Sequence, residues 1–383
     1  MAYDLGFYGE LLTCAPRTPA YVEALRRSVT PDSVVIDLGA GPGFFALLAL
    51  HLGARSVVAI EPHASVEILR GLAEAQGFAE RLTIIRDVST AYRPVEKADV
   101  VIADLRGVLP LFQSFVESIS DARKRLLADN GIFLPARDIL NIALVEDSAA
   151  YAHFTGPWVK DFHGIDLSGL RAAGLNDHRK VTLEPSALIS EPQVLAVLDY
   201  RKIERPNLSA SASLRASRNA TAHGFAVWFD AEMGIDGLSF SNSPRCPPQV
   251  YGQMFFPFEQ PIEISAQSEI NIDLGAAFAE DGYVWSWVSR FESPGRPAIR
   301  YRQSTFLGTI PDPDRLRRQG PDHVPKLVRQ PVDAFLLSLF DGQRSLGEMA
   351  AEVMNRFPEA FRDLADALRH VARLSARYED RTR

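Results

Sequence analysis

Cysteine is almost missing: Cys14 and Cys246 are the only two in 383 residues. Two thiols cannot build a disulfide framework, and neither stands at a metal-ligand spacing, so a reducing, cytoplasmic setting is expected. The eight histidines are scattered, without an HxH or HxxxH pair, and no metal is expected. Cations are outnumbered, 41 Lys and Arg against 48 Asp and Glu, for a formal charge of -7. Such a chain lacks the field that gathers a phosphate backbone, which argues against a nucleic-acid partner. No apolar run approaches the roughly 20 residues that span a bilayer, and the opening MAYDLGFYGELL has no cationic start before a long apolar stretch. Neither membrane insertion nor export is expected. Internal repeats and low-complexity tracts are lacking too.

What is there, 383 residues at 46% hydrophobic content, exceeds what one core usually organises and suggests two or three domains. In the first third, residues 20 to 30 look helical, and "SVVIDLG", "SVVAIEP", "LTIIRD" and "ADVVIAD" read as buried strands separated by helical stretches. That alternation indicates a parallel, doubly wound sheet. After about Pro135 the texture becomes short, β-rich and punctuated, as in "DILNIALVED", "QVLAVLDY", "GFAVWFDAEM" and "GYVWSWVSRF", which fits a barrel or sandwich. Residues 151–179 break that rhythm and could form an arm. A Pro- and charge-rich linker at 313–325 then leads to helical periodicity at 326–383, with a helix start at Ser345 and Glu348 in capping-box register. The fold class expected is α/β plus all-β: a Rossmann-like domain over 1–136, a β-barrel or sandwich over 137–312, and a small helical or winged-helix module at the end.

The chemistry starts at "VVIDLGAGPGFF". Gly39, Gly41 and Gly43 clear space between strand end and helix start. The dinucleotide fingerprint wants glycine or alanine at the next position, where Phe44 stands, so nicotinamide is disfavoured. The G-x-G-x-G spacing fits S-adenosyl-L-methionine, which brings no pyrophosphate, and Glu61 at the end of the second strand would take its ribose hydroxyls. The bland alternative is a tight turn and a strand-end acid.

At these residues the sequence resembles the protein arginine methyltransferases, collinearly over about residues 8–310. "YGELLTCAPRTPAY", "VVIDLGAGPG", "VVAIEP", the hairpin region "ADVVIADLRGVLPLFQSF" and the barrel segments "HGFAVWFDAEM" and "FFPFEQPIEI" carry the likeness. The resemblance implies a class I methyltransferase with a barrel, adenosyl-methionine as cofactor, and a homodimer formed by the arm. It assigns Arg17 to the methionyl carboxylate, Asp37, Gly39 and Gly41 to the first cofactor motif, and Glu61 to the ribose, with Pro62 and Val88 also in the cofactor site.

In that family two hairpin glutamates bracket the accepting guanidinium; here the matching positions are Asp104 and Gln113. A guanidinium is a poor nucleophile until paired carboxylates localise its charge and aim its lone pair, so arginine is a doubtful acceptor. The family's Thr-His-Trp motif aligns with Gln249, Val250 and Tyr251, and its N-terminal helix has almost no counterpart, since seven residues precede Tyr8. A helix expected to begin near Pro110 would put Glu117 one turn beyond Gln113, able to return a carboxylate or simply to face solvent. Arg106 could attract an anionic acceptor or pair with Asp104. The tail resembles a PqqD-type module, which binds peptide leaders; the other reading is a helical cap. A peptide, protein or natural-product precursor is therefore the expected acceptor. The competitors are a small-molecule O- or N-methyltransferase and a non-catalytic binder with a relic cofactor site.

Overall fold

The structure is a computed structural model that describes residues 4–158, 160–279, 282–292, 298–310 and 330–378; the expected linker at 313–325 lies outside them. The chain divides into two compact units, 1–309 and 310–383.

The first unit opens with helix α1 (Leu5–Thr13), whose N-terminal N–H groups are met by the Asp4 carboxylate at 2.8 Å. Helix α2 (Arg17–Ser28) follows; it starts earlier than residue 20 and buries Tyr21, Ala24 and Leu25. Strands β1 (Val34–Leu38), β2 (Ser56–Ile60), β3 (Leu82–Ile85), β4 (Ala98–Ala103) and β5 (Leu127–Leu134) form one sheet in the order β3-β2-β1-β4-β5. All its pairings are parallel. Such strands must be apolar on both faces, and all five residues of β1 are buried. Helices α3 (Phe44–His51), α4 (Val66–Ala75) and α5 (Phe115–Arg125) make the crossovers.

The order reverses between β1 and β4, where crossovers leave to opposite sides and open a crevice at the strands' carboxyl ends. The register pairs Asp37 with Ile102 and Leu38 with Ala103, so the glycine loop after β1 and Asp104 after β4 emerge side by side.

Helix α5 begins at Phe115, not near Pro110. Gln113 takes a left-handed φ of 44°, which breaks any continuity between Pro110 and the helix beyond.

The barrel region consists of two antiparallel sheets. The first is ordered β7 (Arg179–Val181), β12 (Gln253–Ile264), β10 (Ala220–Glu232), β6 (Arg137–Val145) and β8 (Gln193–Asp199), with β11 (Ser239–Ser241) paired to β10; the second is β15 (Ile299–Ser304), β14 (Gly282–Glu292), β13 (Glu269–Ala279) and β9 (Leu208–Arg215). Phe225, Phe256, Phe258 and Trp287 are fully buried between them, and Trp228 is buried on the other face of the first sheet with Tyr151 and Phe154, each contributing about 1.5–3 kcal/mol or more through the area withdrawn from water. Within 151–179 the chain forms the end of helix α6 (Ser148–Thr155), a turn, and the short helix α7 (Arg171–Gly174), and leaves Phe162, Ile165 and Leu170 exposed. A last short helix, α8 (Thr305–Gly308), ends the unit.

The second unit holds helices α9 (Gln330–Ser338), α10 (Leu346–Arg356) and α11 (Leu364–Tyr378), and no strand among its described residues. The capping box at Ser345 and Glu348 is formed in both directions. Leu336, Leu339, Met349, Val353 and Val371 bury against one another, with Phe335 alongside.

Candidate active site

The crevice at the sheet's carboxyl edge is a cavity of about 570 Å³, within the roughly 300–1,000 Å³ usual for ligand sites. It is lined by Arg17, Asp37, Gly39, Glu61, Pro62 and Val88 from the cofactor set, and by Asp104 and Gln113 from the hairpin. Phe44, the residue that departs from the dinucleotide fingerprint, also lines it, at the start of α3.

Backbone shape makes the room. Gly39 and Gly41 have φ of 68° and 54°, a region that side chains resist. A Cβ on Gly41 would come within 2.6 Å of the Tyr8 ring, and one on Gly39 within 1.9 Å of Leu105. The loop is thus packed to the limit that glycine allows, between α1 on one side and the hairpin on the other. Glu61, buried at the end of β2, accepts N–H bonds from Gly41 at 3.0 Å and His63 at 2.9 Å. Each oxygen keeps a further acceptor position for a ribose hydroxyl. Asp37 is buried beneath the loop and accepts the Ala46 N–H at 3.0 Å. Burial pushes its carboxyl up to about 7 against that bond, and the nearby Glu61 charge adds to the rise.

Asp104 is committed on all sides. Its Oδ2 accepts from Arg17 Nε at 2.6 Å and Nη2 at 2.5 Å and from the Tyr251 hydroxyl at 2.6 Å; its Oδ1 accepts from Arg106 Nη1 at 2.9 Å. Burial would raise its pKa, but Arg17 and Arg106 outweigh that and hold it below the usual carboxylate range. It is a stably ionised anchor and a weak base.

Of the two alternatives for Arg106, the structure shows the pairing: its side chain is fully buried, bonded to Asp104, to Asp138 and to the Tyr21 hydroxyl. It does not stand free to attract an anionic acceptor. Arg17 likewise is buried, its Nη1 donating to the Leu11 carbonyl and the Thr18 hydroxyl.

Glu117 is exposed and absent from the cavity wall, because Gln113 lies outside α5 and the two residues do not share a helical face. Gln113 is exposed at the cavity rim. A short N-terminal helix does exist: α1 brings Tyr8, Leu11 and Leu12 over the cavity. Tyr251, at the family's tryptophan position, reaches Asp104, whereas Gln249 donates to the Ser241 carbonyl and lies apart from the cavity wall. Sequence reasoning missed Tyr21, Asp138 and Tyr200. A lone acid opening the apolar strand "DILNIALV" was the available signal for Asp138, since a buried carboxylate demands a partner.

Comparison with known proteins decides the class. Residues 136–280 match the family model "Arginine methyltransferase oligomerization subdomain", and residues 16–134 match "Ribosomal protein L11 methyltransferase (PrmA)". The chain is an arginine-methyltransferase-like class I methyltransferase. It is 26% identical over 272 residues to protein arginine N-methyltransferase 1 of Dictyostelium discoideum, covering 69% of this chain and 79% of that protein. To the Saccharomyces cerevisiae protein of the same name it is 25% identical over 283 residues, covering 71% and 81%.

In fold, this methyltransferase is similar to the Trypanosoma brucei arginine methyltransferase 1 enzyme-prozyme heterotetrameric complex with AdoHcy, with a TM-score of 0.73 at 21% identity, over 79% of this chain and 98% of that one. It is also similar to Arabidopsis thaliana protein arginine methyltransferase 10, with a TM-score of 0.68 at 19% identity, over 79% and 97%. The enzyme is S-adenosyl-L-methionine-dependent, and the barrel carries an oligomerization subdomain of the family's kind. Among the described residues, no helix is long and apolar enough to cross a membrane.

Proposed function

We propose that this methyltransferase acts on a peptide, protein or natural-product precursor, and that the accepting atom is not an arginine nitrogen. One observation carries this reading: Asp104, the hairpin's acid on the cavity wall, has both oxygens engaged by buried arginines, while Gln113 holds the second acid's place without charge. Nothing in the hairpin remains to bracket a guanidinium.

The bound cofactor supplies a methyl group on a cationic sulfur. Arg17 would hold its carboxylate end, Glu61 its ribose hydroxyls, and Asp37 with Gly39 and Gly41 the floor beneath, Pro62 and Val88 lying at the nucleoside end. Hydrophobic walls such as Phe44, Phe45 and Leu105 exclude water and fix the line of approach. An acceptor held between these walls would present its lone pair to the transferable methyl group and would release any proton it carries to solvent at the cavity rim. Asp104 acts by placing Arg17 and Tyr251 rather than by taking that proton.

The same proposal places the domain boundaries at 1–136, 137–312 and 326–383, and the enzyme in the cytoplasm as a homodimer. The exposed Phe162, Ile165 and Leu170 of the arm support the dimer. The terminal helical module, with its own core, is assigned to capture of the acceptor. Calorimetry with adenosyl-methionine tests the cofactor site, and a flat titration would sink the enzymatic reading. Incubation with labelled cofactor and host lysate then identifies the acceptor; label on an arginine nitrogen would overturn the acceptor assignment.

A further inference from the structure

A guanidinium is recognised by carboxylates in its plane and aromatic rings over its faces. Both exist in this protein, and an internal side chain occupies them. Arg106 donates from Nε and Nη2 to the two oxygens of Asp138, each at 2.8 Å, and from Nη1 to Asp104 at 2.9 Å. Phe229 and Phe240 lie 5.2 Å and 5.7 Å from its charge centre. Tyr21 accepts from Nη1, and the Tyr200 hydroxyl donates to Asp138 from behind. The paired acids are thus Asp104 from the hairpin and Asp138 from β6, and they close on a residue two positions along the same hairpin.

We infer that Arg106 is an internal guanidinium that bars an arginine acceptor and sets the transfer for an uncharged acceptor group. This rests on the methyltransferase reading above and deepens it. Arg17, Asp104, Arg106 and Asp138 sum to zero charge, and Gln113 adds none, so no spare anion in the hairpin could neutralise an incoming cation. Placing an unpaired cation in such surroundings is disfavoured. An acceptor without charge meets no such penalty, and Gln113, a neutral donor and acceptor at the rim, suits it. Arg106 is a specificity and positioning residue; it acts through Asp104.

The experiment uses the full chain loaded with S-adenosylhomocysteine and a Gly-Gly-Arg-Gly-Gly peptide as probe, after cofactor affinity has been measured separately. Wild type should not bind the peptide measurably. Arg106→Met, which takes the arginine partner from Asp138 and from Asp104 Oδ1, should bind it at least tenfold more tightly. The neutral pair Arg106→Met with Asp138→Asn, in which Arg17 and Asp104 again sum to zero, should lose that gain, which ties the gain to the unpaired carboxylate. A gain in arginine binding is not what a merely structural residue would yield on removal. The inference is overturned if wild type binds the peptide or methylates its arginine, or if Arg106→Met, folded and with cofactor affinity unchanged, shows no gain. Should neither variant fold, the wild-type measurement decides. Absence of cofactor binding by wild type would refute the methyltransferase reading itself and is scored apart from the peptide result.

Discussion

Arg17 Nη2 and Asp104 Oδ2 stand 2.5 Å apart, each side chain only 6% exposed, and this contact fastens the start of α2 to the end of β4. On the proposed assignment, the cofactor site and the hairpin would share this one ion pair. Asp104→Asn removes the charge that both arginines share, leaving Arg106 with Asp138 and Arg17 buried without its carboxylate partner. A loss of about 3–5 kcal/mol in folding stability is expected, read as a lower urea midpoint at unchanged slope.

Arg17→Lys keeps a cation but loses the planar fork that reaches Asp104, Tyr251 and the Leu11 carbonyl together. Cofactor affinity should fall roughly tenfold or more by calorimetry, as expected when a bidentate carboxylate contact becomes a point charge. Affinity equal to wild type would remove Arg17 from the cofactor site.

Asp37 gives a pH signature. Its folded-state pKa of about 7 lies above the ordinary carboxylate value because of burial, with Glu61 and Asp104 adding to the rise and the Ala46 N–H and Arg17 opposing it. A raised pKa contributes stability that is full below the unfolded value and is lost as pH rises through 7. Between pH 5 and 8 this one group should cost about 2–3 kcal/mol. Asp37→Asn, which can still accept from Ala46, should flatten that slope in denaturation midpoints measured across the range. Asp104 works in the opposite sense, its contribution present above the unfolded carboxylate value and lost in acid as pH falls through its lowered one.

Gly41→Ala forces a Cβ against the Tyr8 ring and into a backbone region costing roughly 1–2 kcal/mol. Cofactor affinity should drop at least tenfold while the circular dichroism spectrum stays that of wild type. Unchanged affinity would show that the roof can move aside freely.

Removal of residues 310–383 should leave cofactor affinity and the melting temperature of the remaining unit nearly unchanged, because the terminal helices bury their apolar faces among themselves. Methylation of the acceptor in lysate should fall. Equal loss of cofactor affinity and melting temperature would instead identify the helices as a cap.

The parallel sheet, the glycine loop and the barrel strands were legible because each shows in local pattern: continuous apolar runs for β1 and β4, alternation for β13 and β14. β9 was missed because "LSASASLR" alternates serine with alanine and gives almost no hydrophobic contrast. At the site, Glu61 and Arg17 could be named from spacing and resemblance. The fate of Arg106 could not, since its main partner, Asp138, is 32 residues away and meets it only after β6 has paired into the barrel. Glu117 failed for a related reason: a helical-face argument holds only if the helix runs through both residues, and the left-handed Gln113 prevents that.

The roof over the glycine loop has its own consequence. Helix α1 has no fully buried residue, and it leans on the loop through the half-buried Phe7, Tyr8 and Leu11. Arg17 holds its end by the Leu11 carbonyl, and a ligand that draws on the same guanidinium loosens that tether. The cavity's ceiling is thus anchored by one of the side chains that line its interior.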